Sequence, residues 1–217
     1  MSTLASQPVA PVIRRLINDA DSPSVIAAMS ERTAQEQLVS RTQYRDFYTR
    51  FSRATLSVTP DVGQLLYALA RGQKARGIVE FGTSVGLSTL YLAAALRDNG
   101  GGHLVTTELD DAKVARARRN LADAGLLRWV DIRQGDALCT LRQGIPALVD
   151  LVFLDGAKAL YGDVLDIVEP YLRAGSVVVA DNTDISPDYT RRVRRPCGRY
   201  LSMPFTATVE VSVWAGH

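Results

Sequence analysis

Gly77-Ile78-Val79-Glu80-Phe81-Gly82-Thr83-Ser84-Val85-Gly86-Leu87-Ser88 decides how the rest of the chain is read. Ile78, Val79 and Phe81 make a short apolar strand, Gly82 to Gly86 a glycine turn, and Ser88 to Leu96 a helix. The two glycines allow a sharp turn and a close backbone approach to a ligand. Ser84 stands where the dinucleotide fingerprint G-x-G-x-x-G needs its second glycine to admit a pyrophosphate to the helix N-terminus. The loop therefore points to a ligand without phosphates at a strand end.

The same alternation continues outward. His103 to Thr107, Trp129 to Arg133, Asp150 to Leu154 and Ser176 to Ala180 read as strands. Asp110 to Ala124, ending at Gly125, and Tyr161 to Leu172, stopping at Gly175, read as helices. Such alternation predicts a parallel sheet covered on both faces. Tyr200 to Phe205 and Thr208 to Trp214 have no helix between them and should pair as an antiparallel hairpin. Upstream, Val12 to Ala70 is helical in pattern. Ile13, Leu16 and Ile17 share a face, Leu38, Tyr44, Phe47 and Phe51 follow at helical spacings, and Thr59-Pro60-Asp61 opens a helix to about Arg71. The expectation is an α/β, Rossmann-like, doubly wound and mostly parallel seven-stranded sheet with a C-terminal antiparallel hairpin. It forms a single domain over residues 1–217, with an N-terminal helical cap (1–57) and a core (58–217).

Composition narrows the function classes. The 217 residues suit one domain, and 47% apolar with 22% charged residues excludes a disordered chain. A net charge of +2, with basic residues clustered only at Arg191-Arg192 and Arg194-Arg195, calls for neither nucleic acid nor an anionic membrane as partner. Cys139 and Cys197 lack CxxC spacing, which disfavours a disulfide framework or zinc site and fits a reducing compartment. Met1 to Pro11 has no signal-peptide pattern and no apolar stretch is long enough to span a bilayer, so a cytoplasmic protein is expected.

In doubly wound sheets ligands bind beyond the carboxyl ends of the strands. Glu108 ends the second strand, where it can accept hydrogen bonds from ribose hydroxyls. Asp136, in Gly135-Asp136 after the third strand, can accept from an exocyclic amine or cap the following turn. Together with the glycine loop they favour an adenosine ligand. Strands four and five end in Asp155-Gly156-Ala157-Lys158 and Asp181-Asn182. Asp155, Asp181 and Asn182 offer an oxygen-only set suited to Mg²⁺; a helix cap and a turn are the plainer alternative. Beside such a cation the ammonium form of Lys158 would be disfavoured, which makes it a candidate general base rather than an ordinary surface lysine. His103 starts its strand at the opposite end and His217 is terminal, so no histidine competes.

These residues resemble the class I, cation-dependent O-methyltransferases, the group of catechol and caffeoyl-CoA O-methyltransferases, over about Val58 to Trp214. Asp155-x-x-Lys158 followed by Asp181-Asn182 is the specific part; the loop Glu80 to Ser88 is shared by methyltransferases at large. The resemblance implies S-adenosylmethionine as cofactor, surrounded by Val58, Glu80, Gly82, Ser84, Gly86, Ser88, Glu108, Asp136 and Asp155, with Gly82 and Ser88 at its methionine end. It implies Mg²⁺ or another divalent cation on Asp155, Asp181 and Asn182, and Lys158 as the catalytic base. Lys158, Tyr161 and Asn182 would flank a small phenolic or catechol-like acceptor. A homodimer and a role in secondary metabolism are implied in the same way.

The sequence also departs from the family. Only Thr183 to Arg199 separates Asp181-Asn182 from the hairpin, where relatives with bulky acceptors carry a longer insertion. Gly156-Ala157 is small where the catechol enzyme has an aromatic gate, and Met1 to Ser57 finds no counterpart. Three other readings compete: a metal-independent methyltransferase of the same fold acting on another hydroxyl or a nitrogen, a nicotinamide dehydrogenase, and a cofactor-binding protein without turnover. Ser84 and the terminal hairpin stand against the dehydrogenase, and the intact D-x-x-K and D-N pairs against the silent binder.

Overall fold

The computed structural model describes residues 2–20, 22–36, 39–51 and 54–216; Leu38 and His217 lie outside the described residues. The strands are β1 (Gly77–Phe81), β2 (His103–Glu108), β3 (Val130–Gln134), β4 (Val149–Leu154), β5 (Leu172–Ala180), β6 (Tyr200–Pro204) and β7 (Glu210–Trp214). Among the described residues they form one seven-stranded sheet in the order β3-β2-β1-β4-β5-β7-β6. The first five pair in parallel, and β7 lies antiparallel between β5 and β6.

Both faces are covered. Ile78, Leu104, Leu151, Phe153, Val177 and Val179 belong to one buried cluster, with α1 (Val9–Ala20), α4 (Pro60–Gly72), α5 (Leu87–Asp98) and α6 (Asp111–Asp123). Val79, Val105, Val152, Leu154 and Val178 belong to the other, with α7 (Ala137–Thr140), α8 (Tyr161–Val168) and α9 (Pro187–Val193). Side chains alternate between faces while both faces are buried, which is why these strands read as continuous apolar runs. The helix starts follow local chemistry: Thr59 accepts a hydrogen bond from the Val62 amide with Pro60 in the first turn, and Asp110 caps α6 through the Lys113 amide at 2.9 Å.

Two expectations need correction. The helix anticipated from Tyr161 to Leu172 ends at Val168, gives way to a 3-10 turn over Glu169–Tyr171, and β5 begins at Leu172. Pro170 has no amide hydrogen and its ring collides with the preceding turn, so the α-helix cannot run through it. Gly175 (φ +89°) therefore sits inside β5, where the β4–β5 register shifts, rather than ahead of the strand. The N-terminal segment is also of two kinds. Val9, Val12, Ile13 and Leu16 bury α1 in the helical layer, whereas α2 (Pro23–Glu36) and α3 (Tyr44–Thr49) lie over the carboxyl ends of the strands. No helix among the described residues is long and apolar enough to cross a membrane.

Candidate active site

Gly82 (φ +104°) and Ser84 (φ +47°) turn the chain out of β1, and Gly86 (φ +90°) starts α5. The turn is tied to β2 by the Gly82 and Thr83 amides, which donate to the Thr107 carbonyl at 3.2 and 3.0 Å. A Cβ on Gly82 would lie 2.8 Å from the Asp155 carbonyl group. The missing side chain thus lets the loops after β1 and β4 meet, at a position that also lines the cavity. Glu108 fastens the next loop: Oε2 accepts from the Ser84 amide at 2.7 Å and Oε1 from the Asp110 amide at 3.0 Å.

A cavity of about 530 Å³ opens above these strand ends, within the range of small-molecule sites. Of the anticipated residues, Gly82, Ser84, Glu108, Asp136, Asp155, Asp181 and Asn182 line it. Ser84 and Thr107 both line it, with Ser84 Oγ and Thr107 Oγ1 buried behind its surface and without a hydrogen-bond partner.

Other anticipated residues do not reach the wall. Val58 is packed in the core. Glu80 is fully buried beneath the loop, its Oε2 accepting from the Thr89 and Thr106 hydroxyls, both at 2.6 Å. Burial pushes its carboxyl up to about 7, against the pull of Ser88, Thr106 and Thr89. Glu80 and Ser88 therefore brace β1 against β2 and α5, and Gly86 caps a helix; none of the three faces the cavity. Tyr161 is also fully buried, with its hydroxyl 2.8 Å from the carbonyl oxygens of both Leu154 and Asp181. Its ring meets Phe81 and Tyr189 edge-on. As the first residue of α8 it points into the layer, so it bridges β4 to β5 instead of flanking an acceptor.

Lys158 is no surface lysine. It is 3% exposed, its Nζ is 2.8 Å from Asp155 Oδ1, and it reaches the cavity only through that carboxylate. Burial, and then repulsion from Asp155, pushes the Asp181 carboxyl up. Asp181 Oδ1 accepts from the Asn182 amide at 2.7 Å, and Asn182 adopts a left-handed conformation (φ +51°) that asparagine tolerates better than most residues. Among the described residues no group of three His, Cys, Asp or Glu is arranged to hold a metal. A cation here would rest on two crowded carboxylates and an amide oxygen, with water or substrate completing the set. That donor chemistry fits a hard divalent ion.

Sequence reading missed the contribution of α2 and α3. Asp136 caps α7 through the Leu138 amide at 3.0 Å, and its second oxygen accepts from Tyr44 Oη at 2.8 Å and pairs with Arg45. Burial would raise the Asp136 carboxyl, but Arg45 and Tyr44 outweigh it and hold it below its ordinary value. Arg32 is buried, and its Nη2 donates to Asn182 Oδ1 at 3.1 Å. Burial would lower the guanidinium, but Glu36, then Tyr48 and Asp155, keep it charged. Tyr48 Oη bonds Glu36 Oε1 and lies 3.3 Å from the Gly156 carbonyl. On the sequence, Arg32 and Glu36 look like an ordinary solvated i,i+4 pair. Nothing in their spacing connects them to strand ends more than 100 residues away.

Residues 79–183 match a family model described as a methyltransferase domain. A catechol O-methyltransferase of Niastella koreensis is 37% identical over 130 residues, covering 58% of this chain and 58% of that protein. The chain thus spans less than two thirds of the length of the curated relatives it matches. Among solved structures, the O-methyltransferase TomG of Streptomyces achromogenes, involved in tomaymycin synthesis and in complex with S-adenosylmethionine, superposes with a TM-score of 0.63 at 26% identity, over 90% of this chain and 91% of that one. A Bacillus cereus O-methyltransferase in complex with S-adenosylhomocysteine gives 0.66 at 24% identity, over 83% and 94%, a likeness of fold.

Proposed function

We propose that the chain is a class I S-adenosylmethionine-dependent O-methyltransferase, and that it methylates a hydroxyl of a small phenolic or catechol-like molecule with a divalent cation, Mg²⁺ foremost, at Asp155, Asp181 and Asn182. One observation carries the reading: Ser84, Glu108, Asp155, Asp181 and Asn182 share a single cavity wall. When bound, the cofactor supplies a sulfonium methyl with its leaving group attached, and the cation lowers the pKa of a coordinated hydroxyl. Glu108 lines the cavity where its carboxylate would accept from ribose hydroxyls. The Lys158 Nζ donates to Asp155 Oδ1 as an ammonium; once it has released that proton to solvent, the neutral amine would be the base for an acceptor hydroxyl drawn to the same carboxylate. Phe81, Leu160 and Val209 give the wall its apolar part, which orients a ring and excludes water.

The test is a panel of ortho-dihydroxy aromatics with S-adenosylmethionine, with and without EDTA. The expected outcome is S-adenosylhomocysteine production that EDTA abolishes and Mg²⁺ restores. Undiminished turnover in EDTA would remove the cation and favour a metal-independent transferase of the same fold, a reading supported by Arg32 on Asn182 Oδ1. Binding of S-adenosylhomocysteine without turnover of any acceptor would sink the transferase. The proposal involves neither nucleic acid nor a membrane surface, and the two exposed free cysteines support a reducing, cytoplasmic setting.

A further inference from the structure

The oxygen set at the ends of β4 and β5 already faces a positive charge, and that charge comes from the cap. Arg32, on α2, is 4% exposed, and its Nη2 lies 3.1 Å from Asn182 Oδ1, an oxygen proposed above as a cation ligand. It is held from behind. Arg32 Nη1 is 3.6 Å from Glu36 Oε2 in an ion pair that is itself buried, and Glu36 Oε1 accepts from Tyr48 Oη and from the Lys158 amide at 3.4 Å. One helical turn of α2 thus inserts a cation toward Asn182 and an anion against the loop that carries Asp155 and Lys158. Arg32 Nε is buried without a hydrogen-bond partner, so the guanidinium is placed for its charge more than for a saturated set of hydrogen bonds.

We infer that Arg32 is a resident counter-cation of the Asp155–Asp181–Asn182 set, so that the guanidinium and a divalent cation exclude one another and α2 must withdraw when metal binds. This rests on the metal site proposed above. The physical reason is charge: two half-buried carboxylates that repel each other draw cations, Lys158 at Asp155 and Arg32 beside Asn182, but a guanidinium and a divalent ion in one partly desolvated pocket repel strongly. A divalent ion must take up Asn182 Oδ1, and it does so at the expense of the arginine. Closing α2 without metal adds a second positive charge to the one Lys158 already sets on Asp155; binding metal frees α2.

Mn²⁺ binding, read from the electron paramagnetic resonance of the free ion, tests this on the intact chain without turnover. Wild type, Arg32→Gln, the charge-balanced double variant Arg32→Gln/Glu36→Gln, and Asp181→Ala are compared. The double variant guards against a fold lost by leaving Glu36 unpaired. Both arginine variants should bind Mn²⁺ at least tenfold more tightly than wild type, Asp181→Ala should lose the site, and saturating Mn²⁺ should speed amide exchange over residues 23–36 of the wild type. Equal affinity in wild type and the double variant, with Asp181→Ala still deficient, overturns the exclusion and leaves the metal site standing. Mn²⁺ binding that does not depend on Asp181 in any variant overturns the metal site and the exclusion together.

Discussion

Glu80 shows how deep a residue of the glycine-loop motif can lie, fully buried and apart from the cavity lining. Its carboxyl is raised from 4.5 to about 7, chiefly by burial, so the folded chain holds a proton that the unfolded chain has released over that interval. Stability should therefore be greatest below about pH 4.5 as far as this group is concerned, and should decline as pH rises to about 7. The total is about 3 kcal/mol, at roughly 1.4 kcal/mol per unit. Glu80→Gln keeps an oxygen for Thr89 and Thr106 and cannot ionise. Urea unfolding of wild type and variant at pH 5 and pH 8 should show a smaller pH difference in the variant, and an equal difference in both would mean that Glu80 is not the titrating group. The sequence made Glu80 legible as part of the loop but not its depth, because burial depends on α5 packing over the strand. That Glu108, Asp155, Asp181 and Asn182 would meet at one cavity was legible because strand ends in a parallel sheet share an edge. Tyr161 was misread because its position in the chain says nothing about which way the first turn of α8 faces.

At the scale of elements, the small pair Gly156-Ala157 has a local cause. A Cβ on Gly156 would come 2.4 to 2.6 Å from the ring of Phe81, which is itself buried against Tyr161. The end of β1 fills the space that a side chain on the loop after β4 would need. Gly156→Ala should cost about 1–3 kcal/mol in urea unfolding, and adding Phe81→Leu should recover at least half. If the single variant is as stable as wild type, the two loops do not meet as described. The strand boundaries were readable from apolar runs and glycine turns, since both faces of the sheet are covered. The end of α8 was not, although Pro170 was visible: the apolar pattern ran on into β5, and periodicity outweighed the single breaking residue.

Across the whole molecule, β6 is the sheet edge that carries exposed apolar side chains, with Leu201 66% and Met203 56% exposed and Phe205 beyond them. An uncovered edge strand with such side chains favours pairing with a second copy related by a two-fold axis. Sedimentation velocity should show a dimer that Leu201→Lys/Met203→Lys converts to monomer; a monomeric wild type at tens of micromolar would end the idea.

The position of β7 also bears on biosynthesis. It sits inside the sheet yet is made after the strands it joins, since β5 ends at Ala180 and β7 starts at Glu210. While the ribosome adds the intervening residues, the outer edge of β5 has no partner, and β6, although already made, pairs only with β7. The nascent chain therefore emerges with an open parallel sheet whose unpaired edge can template aggregation. Its closure awaits a segment translated after all the residues that form the cavity floor.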